Sequence, residues 1–110
     1  MYSKDFILLT SGGTLLKIYF KSIRFIKTDN YLSTFHYDDC KFFTCCISLK
    51  KVQIHLPDFF TQINRSTIIN ENEISQVFKR EKILILNDGS RHRISYRRFK
   101  RLKLKIMHIS

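Results

Sequence analysis

The sequence predicts a mainly β fold of short strands, with one short α-helix at about residues 48–56 and an undecided C-terminal segment. Three observations carry that expectation. Apolar or alternating runs are broken by turn residues every eight to twelve positions. Only one stretch sets its apolar residues clearly at helical spacing. Asn87-Asp88-Gly89 is a hairpin signal between two apolar runs.

Phe6 to Thr10 reads as the first strand, and Ser11-Gly12-Gly13 supplies a turn that tolerates positive φ. Leu15 to Phe20 follows, with Leu16, Ile18 and Phe20 on one face. Ile23 to Lys27 is a short strand, and Thr28-Asp29-Asn30 turns the chain into Tyr31 to Tyr37. Asp38-Asp39 makes the next turn, before Lys41 to Ile47. Ser48 is an expected N-cap, Leu49, Val52 and Leu56 repeat at helical spacing, and Pro57 stops the helix. Phe59, Phe60 and Ile63 lead into Asn64-Arg65-Ser66. Thr67 to Ile69, Ile74 to Phe78, Ile83 to Leu86 and Arg91 to Ile94 complete the strands. The end reads two ways: Phe99, Leu102 and Ile106 line one helical face, whereas Leu102, Leu104 and Ile106 alternate with Lys103 and Lys105 as in a strand.

A chain of 110 residues has room for one core, and 44% hydrophobic content with 14% aromatics is enough to fill it, which argues against disorder. No apolar run reaches the ~18 residues of a spanning helix. Phe6-Ile7-Leu8-Leu9 has no small-residue cleavage site after it, so a cytoplasmic protein is expected. Cys40, Cys45 and Cys46 form no C-x-x-C pair and are expected to be reduced, half-buried packing residues, with Cys45 and Cys46 on opposite faces of their strand.

Charge narrows the partners. Twenty Lys and Arg against nine Asp and Glu give a formal net charge of +11. Lys79 to Lys105 holds eleven basic and two acidic residues, so one quarter of the chain carries +9 of that excess. Such a field attracts polyanions, nucleic acid first and anionic membrane second. Enzyme chemistry finds no support. Gly12-Gly13 is too sparse for a phosphate loop, and His36, His55, His92 and His108 are scattered where a metal site needs them clustered. Asp38-Asp39 and Glu71-x-Glu73 read as turn residues, not as Mg²⁺ ligands. No catalytic residue, metal or cofactor is expected, and no small-molecule substrate.

Four segments, in order, resemble the LytTR DNA-binding domain of bacterial transcriptional regulators (the LytR/AlgR family). They are Ile23 to Leu32, with its turn and Asn30-Tyr31; the helix from Ser48 to Leu56 with Phe59-Phe60; Ile63-Asn64-Arg65-Ser66-Thr67-Ile68-Ile69-Asn70; and Leu86-Asn87-Asp88-Gly89 to Ile94-Ser95 with Arg97-Arg98-Phe99. The resemblance runs from about residue 6 to 106, within a single domain spanning 1–110. The chain departs from the family's pattern with Asn64 in place of His, Thr67 in place of an aromatic, and Tyr96 between Ser95 and Arg97. The resemblance implies an elongated fold of small antiparallel sheets whose loops enter successive major grooves on one side of the duplex. It also implies sequence-specific binding of double-stranded DNA at promoter repeats, with two copies associating there, as a response-regulator output domain or a stand-alone regulator. No receiver sequence precedes Phe6, and the initial Met1 favours the stand-alone form.

Base readout is expected from three residues. Arg97, expected on a rim just after a strand, has a guanidinium fork that suits guanine O6 and N7. The Asn30 amide suits adenine. Arg65 lies in a loop that contacts DNA in the family. Ser66 accompanies it, and Lys27, Arg93, Arg98, Lys100 and Arg101 are candidate phosphate contacts. Asn70 is expected to bond backbone, and Tyr31 to pack in the core or at its rim. Two other classes compete. An RNA-binding module would stack bases on Phe35, Tyr37, Phe42 and Phe43, for which core packing is the plainer reading. A membrane-surface or interaction protein would use the basic tail from Arg97 to Lys105.

Overall fold

A computed structural model describes residues 5–106; Met1 and His108, which entered the expectations above, lie outside the described residues. Strands β1 (Phe6–Ser11) and β2 (Thr14–Tyr19) form a hairpin. A five-stranded antiparallel sheet has the order β5-β4-β3-β7-β6, from β3 (Ile23–Asp29), β4 (Leu32–Tyr37), β5 (Lys41–Cys46), β6 (Phe60–Asn64) and β7 (Thr67–Asn70). A three-stranded sheet has the order β10-β9-β8, from β8 (Ile74–Phe78), β9 (Ile83–Leu86) and β10 (Arg91–Arg93). Two helices complete the fold, α1 (Leu49–Ile54) and α2 (Tyr96–Ile106). No helix among the described residues is long and apolar enough to cross a membrane.

At β7 the central sheet is buried on both faces. Successive residues of a strand point to opposite sides, and in β7 all four residues are buried. On one side Ile26, Phe35, Cys45, Phe60 and Ile68 pack against Leu9 and Ile18 of the hairpin and Leu49, Val52 and Leu56 around α1. On the other, Phe25, Ile63 and Ile69 pack against Leu84, Leu86, Ile94, Phe99 and Leu102. Burying one Ile or Leu side chain contributes roughly 1.5–3 kcal/mol, so each layer is held chiefly by these contacts.

Most local expectations hold, with instructive exceptions. Ser48 caps α1, its Oγ accepting from the Lys51 N–H at 3.3 Å, and the expected apolar positions Leu49, Val52 and Leu56 are buried, although the helix ends at Ile54, before Leu56. Asp88 organises the β9–β10 hairpin by accepting from the Ser90 N–H at 2.9 Å, while Gly89 takes φ 86°. Thr28 and Asp29 belong to β3 and not to the turn; only Asn30 and Tyr31 turn, with Asn30 at φ 59°. β6 was not expected as a strand. The C-terminal ambiguity resolves as an 11-residue helix, longer than α1, because Phe99 and Leu102 must both enter the second core. Cys45 packs in the core as expected, but Cys40 and Cys46 are exposed: Cys40 sits in the turn at φ 61°, and Cys46 on the uncovered face of β5.

Candidate nucleic-acid interface

Hairpin chemistry brings three connections to one edge of the central sheet. β3 and β4 close over Asn30-Tyr31, and Asn tolerates the left-handed backbone this turn demands. β6 and β7 close over Arg65-Ser66 on the same edge, where the Thr28 N–H donates to the Ser66 carbonyl at 2.8 Å. The link from β10 to α2 comes next, the Ser95 N–H donating to the Ile63 carbonyl at 2.8 Å. The row therefore reads Asn30, Arg65, then Arg93 and Arg97.

Asn64 ties this row together, and sequence reasoning gave it no role. Its Nδ2 donates to the Arg93 carbonyl at 2.6 Å, and its Oδ1 accepts from the Ser66 N–H at 2.9 Å and from Ser66 Oγ at 3.2 Å. One amide thus fixes the β6–β7 turn internally and pins it to β10. The signal available beforehand was the turn habit of Asn before Arg-Ser.

Asn30, Arg65, Arg93, Arg97 and Lys27 are all exposed, and Ser66 is half-buried. Arg97 does not follow a strand directly, as expected from sequence. It stands in the first turn of α2, which Ser95 caps with its Oγ accepting from the Arg98 N–H at 3.3 Å. That first turn holds no acidic residue. Cations at a helix N-terminus oppose the macrodipole, a cost of about 0.3–1 kcal/mol each that an incoming anion cancels.

The other α2 cations divide. Lys100 Nζ lies 5.7 Å from the centre of the Tyr96 ring. Arg98 and Arg101 turn to the opposite flank, toward β6. Burial, then the neighbouring guanidinia of Arg97 and Arg101, push the Arg98 pKa below its ordinary value. Lys105, at the far end of the helix, is committed to Glu71 at 2.5 Å and to Thr61 Oγ1 at 2.8 Å.

Tyr31 corrects an expectation: it packs in neither core nor rim but is 75% exposed beside Asn30. Asn70 behaves as expected, buried, with Nδ2 donating to the Ile23 carbonyl at 2.9 Å and Oδ1 accepting from the Asn72 N–H at 2.9 Å. The aromatic platform that an RNA-binding reading needs is not assembled. Phe35 is fully buried, Tyr37 and Phe43 pack against the first core, and of the four only Phe42 is exposed. Among the described residues, no group of three or more His, Cys, Asp or Glu is placed to hold a metal ion.

A family model for the LytTr DNA-binding domain matches residues 13–107. No curated protein matches. Among solved structures, the fold is similar to the LytTr DNA-binding domain of a protein described as a methyl-accepting/DNA response regulator from Bacillus cereus. That similarity has a TM-score of 0.81 at 19% identity, over 97% of this chain and 100% of that one.

Proposed function

The chain belongs to the LytTr DNA-binding domain family, and we propose that it is a transcription regulator acting by sequence-specific binding of duplex DNA in the bacterial cytoplasm. The observation that carries this reading is the single edge on which Asn30, Arg65 and the start of α2 meet, held by the Thr28–Ser66 and Asn64–Arg93 hydrogen bonds. Arg97 and Arg65 read guanine edges and Asn30 reads adenine, because a fork and an amide each match one base bidentately. Lys27, Ser66 and Arg93 hold phosphates beside them, and Lys100 extends the positive edge along the backbone; Arg98 and Arg101, which turn to the opposite flank, are left out of the duplex contacts.

Asn30 lies at one end of the row, and Arg97 lies at the other, beyond β6 on α2; on this reading the two ends enter successive major grooves on one side of the duplex. Two copies on repeated promoter elements would double the contacts. The whole chain serves as one binding module, without catalytic chemistry.

Selection from random duplex oligonucleotides tests the proposal and yields the site. Enrichment of a motif, with affinity falling steeply as salt rises, is the expected result. Recovery of unrelated sequences, or preferential capture of single-stranded RNA, overturns it. Each phosphate contact contributes about −0.9 to the slope of log K against log salt. Lys27→Ala and Arg93→Ala should therefore each flatten that slope by about one.

A further inference from the structure

Behind the DNA-reading edge, a groove of about 400 Å³ runs between α2, β6 and α1. Phe60 gives it an apolar floor and the exposed Leu104 an apolar rim; Arg98 and Arg101 stand one helical turn apart on one wall, and Gln53 and Gln62 line the groove with them. Among the described residues, neither arginine has a carboxylate or a hydrogen-bond acceptor, whereas Lys105 at the end of the same groove is fully engaged by Glu71 and Thr61. Two guanidinia with vacant donors, crowded by Arg97 and set over apolar carbon, are an electrostatic deficit with a defined shape.

We infer that this groove binds a small organic anion, a phosphate or carboxylate on a flat or short apolar body. The anionic group takes a bidentate position between Arg98 and Arg101, and the apolar part lies on Phe60 and Leu104. A bare phosphate would satisfy the arginines and leave the floor unused, and a DNA backbone phosphate brings no apolar body of its own. The groove shares a helix with Arg97, so its occupant sits where it can alter DNA binding by charge alone: an anion beside Arg97 weakens the field that the duplex meets.

The experiment is a titration of the ¹⁵N-labelled full chain with phenylphosphate, in parallel with inorganic phosphate and phenol. Saturable shifts confined to Gln53, Thr61, Gln62, Arg98 and Arg101 are expected, with either half-ligand binding about tenfold more weakly. Arg101→Gln, at an exposed position that leaves the fold intact, should weaken phenylphosphate about tenfold and leave the remaining spectrum unchanged. Equal binding of inorganic phosphate, or shifts spread over all basic surfaces, overturns the inference. A last arm uses the selected duplex. If DNA shifts the same groove amides and excludes phenylphosphate from them, the anion is a backbone phosphate and the inference fails. Binding of phenylphosphate to the complex supports it. None of the small-molecule arms contains DNA, so they fail or succeed independently of the DNA-binding proposal.

Discussion

Arg97 and Asn64 illustrate two ways a side chain serves one edge. Among the described residues, Arg97 makes no hydrogen bond or ion pair that holds the fold: it is exposed, and its charge opposes the helix dipole. Arg97→Ala should therefore leave the urea midpoint unchanged or slightly raised, while costing about 1–3 kcal/mol on the selected site and much less on random duplex. Equal losses on both DNAs would reduce Arg97 to a phosphate contact. Asn64 acts through others. Replacing it by Ala removes three hydrogen bonds and leaves the half-buried Ser66 amide to find water, a cost of about 1–3 kcal/mol in stability. The same change frees Arg65 and Arg93, so affinity should drop on the selected and random duplexes alike. An unchanged DNA affinity would show that the turn holds its shape without the amide.

Among the elements, what was legible in the sequence is what its periodicity and turn residues specify. The β9–β10 hairpin and the cap of α1 follow from Asn87-Asp88-Gly89 and Ser48, whose chemistry is local. β6 escaped notice because three of its five residues, Thr61, Gln62 and Asn64, are polar. It is an edge strand, bulged between Gln62 and Asn64, and its identity comes from pairing with β7. α2 was undecided for a related reason: Leu102 and Ile106 belong both to a helical face with Phe99 and to a strand face with Leu104, until a second core exists to choose Phe99 and Leu102 and leave Leu104 outside. The residue types of the proposed DNA-reading edge were readable, but their convergence was not, since only strand order brings residues 30, 65 and 97 together. Ser95 shows how much of that edge rests on one cap. Ser95→Ala should cost about 1 kcal/mol in stability. It should also weaken binding to the selected duplex, because the turn carrying Arg97 frays. A loss of stability with full affinity would mean that the first turn of α2 does not have to be ordered to bind.

Across the whole molecule, charge and packing are both polar. Asp38, Asp39, Glu73 and Asp88 gather around Arg24 at the end of the central sheet opposite Asn30, so under the proposed function this acidic end would face away from a duplex. A ring stack joins the central sheet to the three-stranded sheet: Phe25 of β3 lies 4.2 Å from His36 of β4 and 4.4 Å, edge-on, from His92 of β10. His92 Nε2 shares a hydrogen bond with Ser90 Oγ at 2.8 Å. Burial pushes both imidazoles below the ordinary 6.5; Lys27 adds to this, and Asp88 only partly offsets it. Above about pH 6.5 both rings are neutral whether the chain is folded or not, and their packing is fully available. As pH falls below that value the unfolded chain takes up protons that the folded one resists, so stability declines and is lost through the depressed folded pKa values. For Asp88, burial raises the pKa, but the Ser90 hydrogen bonds and Arg24 outweigh it and the net shift is downward, so its own contribution is lost only under more acid conditions, below the usual 3.8. The interval between pH 7.5 and 5 therefore reports the histidines. Urea midpoints should fall across it in the native protein and stay nearly level in a His36→Phe, His92→Phe double variant. The same slope in both proteins, or a midpoint that rises on acidification, would place the pH response elsewhere.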